Sequence, residues 1–124
     1  MSRKNVIVQK TLLDAVPNNV LTFSAPVAIA YLDNVGIQFN FVTPGTHPGA
    51  VQAEISADHR QDKEGNVIFE GNWILAITQS VNNATSAAYL DLNQLSAPYV
   101  RAVWRPNAGA DATALTVTLT AKML

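Results

Sequence analysis

The sequence predicts an all-β fold, an antiparallel β-sandwich of jelly-roll type with about eight or nine short strands. Two observations carry this. Apolar and polar residues alternate at period two in three separate runs, and clusters of Pro, Gly and Asn separate the candidate strands at regular intervals. In the first run Val35, Ile37, Phe39 and Phe41 alternate with Gly36, Gln38 and Asn40. In the second, Val51, Ala53 and Ile55 alternate with Gln52, Glu54 and Ser56. In the third, Leu115, Val117, Leu119 and Ala121 alternate with Thr116, Thr118, Thr120 and Lys122. Successive side chains of a strand point to opposite faces, so each run buries one face and wets the other. Leu115, Val117, Leu119, Val35, Ile37, Phe39, Val51 and Ile55 are therefore the expected core.

Further strands are expected over Val6–Lys10, Val20–Ser24, Ala28–Leu32, Asn72–Thr78, Ala87–Leu92 and Tyr99–Arg105. The breakers between them are Pro17-Asn18-Asn19, Pro26, Pro44 to Gly49, Glu64-Gly65-Asn66, Pro98 and Pro106 to Gly109. A barrel is the nearest competing architecture. Helix is expected only as a turn near Thr11–Ala15 and around Leu92–Leu95. The chain divides into residues 1–19, an N-terminal arm or an edge strand, and residues 20–124, the sandwich domain. The composition of the first segment, with Arg3, Lys4 and Lys10 among Val6, Ile7, Val8, Leu12 and Leu13, suits an arm that adds to a neighbour's sheet edge. It suits an edge strand of its own sheet equally.

The 124 residues make one domain, large enough to bury a core without a staple. There is no cysteine, which excludes a disulfide framework, a thiolate metal site and a cysteine nucleophile. Charged residues are 14% of the chain against a usual ~25%. This favours a β domain whose surface is partly covered by partners. A net charge of -1 gives no electrostatic drive toward nucleic acid or membrane. No apolar run reaches the ~20 residues of a membrane span. The basic start, Met1 to Asn5, is followed by an apolar stretch broken by Gln9, Lys10 and Asp14, unlike a signal peptide.

The candidate chemistry is thin. The two histidines, His47 and His59, fall in loops and are expected to be exposed and without a role. No serine stands in a Gly-x-Ser-x-Gly elbow. The loop Asp58 to Asn66 is acidic, but Arg60 and Lys63 interrupt it and the order of a calcium-binding EF-hand loop is not met. It is expected to be a solvated hairpin loop closed by Gly65-Asn66. Glu54, Asp58, Asp62, Glu64, Glu70 and Asp91 offer carboxylates without a pattern that pairs any two of them. Trp73 and Trp104, with Tyr31, Tyr89 and Tyr99, would suit a sugar platform, yet both tryptophans lie in apolar strands and are expected in the core. Arg101 and Arg105 share one face of their strand and Trp104 takes the other, the pattern of a polar outer face over a packed inner one. Asn83-Ala84-Thr85 matches a glycosylation sequon, which has no meaning without a secretory signal. The sequence thus assigns no catalytic, cofactor-binding or metal residues, and predicts a non-enzyme.

From Val51 onward the order of motifs resembles a group of proteins. The strand Gln52-Ala53-Glu54-Ile55-Ser56 is followed by Ala57-Asp58, then Gly71-Asn72-Trp73, then Leu90-Asp91-Leu92-Asn93-Gln94-Leu95 and Pro98-Tyr99-Val100-Arg101. A strand through Trp104 and a Thr-rich last strand ending Ala121-Lys122-Met123-Leu124 complete it. This is similar to small β-sandwich virion proteins of tailed bacteriophages, the capsid decoration (cement) proteins and small tail-associated proteins. The chain departs from that pattern in a short segment between Trp73 and Tyr89, and in the turn Gly109 to Thr113, which lacks a second glycine. The resemblance implies a structural protein on the capsid surface of a virion. Its partner would be the major capsid protein, and it would act as a homo-oligomer, dimer or trimer, touching neither nucleic acid nor membrane. A tail, fibre or baseplate protein is the alternative within that class, and a carbohydrate-binding β-sandwich module the alternative outside it.

Overall fold

The computed structural model describes residues 6–30, 32, 34–42, 46–82, 85–93, 97–110 and 113–123, with the side chains of 6–8, 93 and 123 excepted. Eleven strands run through them: β1 Val6–Pro17, β2 Thr22–Phe23, β3 Val27–Ala28, β4 Asn34–Phe41, β5 Gly49–Ser56, β6 Arg60–Gln61, β7 Val67–Phe69, β8 Ile74–Val81, β9 Ala87–Asn93, β10 Tyr99–Pro106 and β11 Ala114–Met123. One sheet has the order β1-β11-β4-β9. The facing sheet has the order β2-β10-β5-β8, with β3 also on β10, and β6 and β7 form a separate small hairpin. Every pairing is antiparallel. The chain crosses between sheets at nearly every step, so with β2–β3 taken as one interrupted strand the order is that of a jelly roll. The sheets form a sandwich, as expected, and do not close into the competing barrel.

The three periodic runs become β4, β5 and β11. Register aligns their apolar rows: Leu115, Val117, Leu119 and Ala121 stand opposite Phe41, Phe39, Ile37 and Val35, and the β4 residues meet Leu92, Leu90 and Ala88 of β9 on the other side. From the facing sheet Val51 and Ala53 of β5 and Val100, Ala102 and Trp104 of β10 complete the core. Seven of the eight expected core residues are buried, and Ile55 is partly buried against the cluster. Gly49 is fixed by close approach, because a Cβ there would meet the Arg105 backbone oxygen and the Trp104 ring.

Residues 6–17 pair along β11 as the edge strand β1, with two register shifts, between Thr11 and Leu13 and between Leu13 and Val16. Thr11–Ala15 is therefore strand, not the helical turn its residues predict. Each bulge inserts a residue that the partner does not match, which breaks period two and imitates helical spacing for Leu12, Leu13 and Val16. Ala15 takes a positive φ of 51° at the second bulge, and its N–H donates to Thr116 Oγ1 at 3.2 Å. Leu92 and Asn93 continue β9 as strand, while 94–96 lie outside the described residues.

Candidate functional site

The outer face of the β2-β10-β5-β8 sheet carries most of the molecule's polar organisation. Alternation on β10 turns Arg101, Val103 and Arg105 outward, opposite Glu54 and Gln52 of β5. Arg101 donates through Nε to Glu54 Oε1 at 2.8 Å, with its Nη2 2.7 Å from the same oxygen. Arg105 reaches Glu54 Oε2 at 3.6 Å and donates to Gln52 Oε1 at 2.6 Å, and Gln52 in turn donates to Thr78 Oγ1 on β8. The Arg101 guanidinium lies between two rings, 4.5 Å from the Phe23 centroid and 4.4 Å from that of Trp73. Glu54, Gln52 and Val103 are buried beneath this layer. Both arginines thus reach Glu54, Arg101 directly and Arg105 at longer range, and the polar groups of β5, β8 and β10 form one connected network.

Residues 57–73 fold over one end of this face. Asp58 caps the segment: Oδ1 accepts from the Asn72 N–H at 2.8 Å and from Ser56 Oγ at 3.0 Å, and Oδ2 accepts from Asn72 Nδ2. The Asn72 backbone donor above all holds the Asp58 carboxyl below the usual aspartate range. Gly71 takes φ 71°, and a Cβ there would lie 2.6 Å from Asp58 Oδ1. His59 is buried beside Trp73 and Tyr99. Its Nδ1 donates to the Glu70 carbonyl at 2.8 Å and its Nε2 accepts from Gln61. At the tip, Asp62 accepts from the N–H groups of Glu64 and Asn66 and from Asn66 Nδ2, and the Asn66 N–H lowers its pKa most. Its oxygens are thus turned inward on the turn, which Gly65 closes at φ 88°. The tip is exposed as expected; the base of the loop packs on the body.

The expectation of exposed histidines fails at both positions. His47 is fully buried, stacked on Phe41 at 4.7 Å with ring planes 23° apart. Asn18 Nδ2 donates to His47 Nδ1 at 2.7 Å. Asn18 is itself fully buried and ties three segments together. Its N–H donates to the Thr113 carbonyl, its Oδ1 accepts from the Thr113 N–H at 2.8 Å, and its carbonyl accepts from Trp104 Nε1 at 2.6 Å. Loop position suggested solvent, but residues 18–19, 46–48, 107–110 and Thr113 converge on one end of the sandwich, where Asn18 and His47 are buried together. A run of Pro-Asn-Asn signals a turn; nothing in it signals that Asn18 is a hub.

Trp104 lies in the core as expected. Trp73 is half-buried on the outer face instead, one ring face taken by Arg101, its Nε1 donating to Glu70 Oε1 at 3.1 Å. Neither ring forms an open platform. Tyr99 packs on His59; Tyr31 and the Asn83-Ala84 part of the sequon lie outside the described residues. Tyr89 lies across Gly36 on the opposite sheet, beside a shallow groove of about 210 Å³ bordered by Asn34, Asp91, Thr120 and Lys122. Glu54, Asp58, Asp62 and Glu70 each hold structural partners of their own, none shared between them. Among the described residues no group of three or more His, Asp or Glu is placed to hold a metal ion.

What the described surface offers in quantity is exposed apolar area at the edges of one sheet and on the small hairpin. Ile74 and Leu75 lie on the edge strand β8, Val20, Leu21 and Phe23 at the other edge, and Val67, Ile68 and Phe69 on the separate β6–β7 hairpin. The chain is thus defined by its architecture as an all-β jelly-roll sandwich with a structural polar network. Its fold is similar to that of the SPBc2 prophage-derived protein YomS, with a TM-score of 0.60 and 10% identity over 98% of this chain and 97% of that one. A chain from Bacillus endospore appendages, described as a novel family of disulfide-linked pili, aligns at a TM-score of 0.43 with 15% identity over 98% of this chain and 92% of that one, too distant to bear on function. No protein-family model matches the sequence, and no curated protein matches it.

Proposed function

We propose that the protein is a non-enzymatic structural component of a phage virion, a capsid decoration protein that binds the major capsid protein lattice and stabilises it. The observation that carries this reading is the way its side chains are spent. Most of the strong polar groups are engaged with one another inside the fold, His47 Nε2 and Thr113 Oγ1 being buried without a partner, whereas large apolar residues are left exposed on β8, β2 and the β6–β7 hairpin, the pattern of a rigid body that works by contact. Two associations support it: the order of motifs from Gln52 to the C-terminus, and a jelly roll, an architecture that recurs in viral capsid domains. Many weak copies on a repeating lattice would add to a large avidity.

The test is co-sedimentation of the purified protein with capsids and with tails of the phage that encodes it, followed by heating of the loaded capsids. Capsid binding with a raised disruption temperature is the expected result. Binding to tails alone would replace the decoration role with a tail, fibre or baseplate role, and binding to neither would end the virion reading.

A further inference from the structure

We propose that β8 is a self-association edge, along which a second copy of this chain pairs antiparallel across a two-fold axis, with the exposed apolar residues of β8 covered in the process. Among the described residues four strand edges end the two sheets. Natural edge strands are blunted against pairing by charge, proline, bulges or brevity. β1 carries two bulges together with Lys10 and Asp14. The β2–β3 edge is cut into two-residue pieces around Pro26. β9 carries Asp91. β8 runs eight residues, Ile-Leu-Ala-Ile-Thr-Gln-Ser-Val, without a charge or a proline, and its single bulge falls at Ala76, leaving Ile77–Val81 regular.

The occupant follows from that composition. A strand paired antiparallel with its own copy across a two-fold sets a charge that lies near the axis against its mate; β8 carries no charge at any position, so no register of self-pairing meets that opposition. From Val67 to Val81 the one charged residue is Glu70, and it is held by Trp73 Nε1. On this strand Ile74 is 64% exposed and Leu75 about half, on opposite faces by alternation, so a paired copy covers apolar surface on both faces of the extended sheet. This inference does not depend on the capsid reading.

Sedimentation of the full chain across a hundredfold concentration range tests it, together with nitroxide labels on a Thr78→Cys variant, the protein having no cysteine of its own. The expected result is a dimer with a label separation under roughly 25 Å, since both labels lie near the middle of adjacent strands. Labels on Leu21→Cys, at the far side of the same sheet, should sit roughly 35 Å or more apart. Ile74→Lys should weaken dimerisation at least tenfold with an unchanged circular dichroism spectrum. A monomer at all concentrations, a trimer or open polymer, or a short separation at Leu21 with a long one at Thr78 would overturn the proposal.

Discussion

Replacing Asn18 with alanine should destabilise the fold far more than its place in a Pro-Asn-Asn turn implies. The side chain satisfies two buried groups, the Thr113 N–H at 2.8 Å and His47 Nδ1 at 2.7 Å, and the alanine variant leaves both without a partner. An orphaned buried polar group costs about 1–3 kcal/mol, so the pair should cost about 3–5 kcal/mol. The backbone bonds from Asn18 to Thr113 and from Trp104 to the Asn18 carbonyl remain, which sets the upper end. Against a domain stability of about 5–15 kcal/mol this is a large fraction. It corresponds to a melting temperature lower by roughly 10–20 °C. Urea denaturation should show a lower midpoint at unchanged slope. A double-mutant cycle with His47→Leu isolates the side-chain contact: the double variant should lose less than the sum of the singles, because each single change leaves one member of the same pair stranded. A loss below about 1 kcal/mol for Asn18→Ala, or strict additivity in the cycle, would refute the claim that this cluster locks the loop end of the sandwich.

Val117→Asp should place an unpaired charge in the core opposite Phe39 and unfold the domain, seen as loss of the thermal transition. Arg101→Ala should leave Glu54 buried with only the longer Arg105 contact and cost about 2–4 kcal/mol in urea titration; a change within error would mean that the Phe23–Arg101–Trp73 layer adds no stability. Asp58 and Asp62 have lowered pKa values in the fold, so the stability they contribute is present above the ordinary aspartate value of 3.8 and is lost as pH falls through their folded values. Asp58→Asn should therefore flatten the acid limb of the stability curve, and an unchanged limb would contradict the capping role. Shortening the tip between Asp62 and Asn66 should leave the melting temperature nearly unchanged, whereas deleting His59 to Gly71 as a block should not. A chain beginning at Val20 loses β1 and Asn18 together and should fail to fold; if it folds with full stability, the first residues serve assembly alone.

Period-two alternation by itself determined that the fold is built of half-buried strands with one dry face each, a requirement written residue by residue in β4, β5 and β11, while the tertiary structure decided that the sheets stack as a sandwich and do not close. Alternation also determined that Arg101 and Arg105 share a face away from Trp104, since on a regular strand facing depends only on parity. Parity fails where the chain is not regular, which is why β1, with its two bulges, imitated a helical turn. The short pieces β6 and β7 gave no period to read. The histidines show the same limit in the other direction. His47 and His59 sit in polar loops, and local composition predicted solvent. Only the tertiary structure decided that Asn18, His47 and Thr113 meet at one end of the molecule, and that Asp58 and His59 tie residues 57–73 to Ser56 and Tyr99 on the body. Burial of a polar side chain depends on partners 29 to 95 positions away along the chain for Asn18, and no window of sequence contains them.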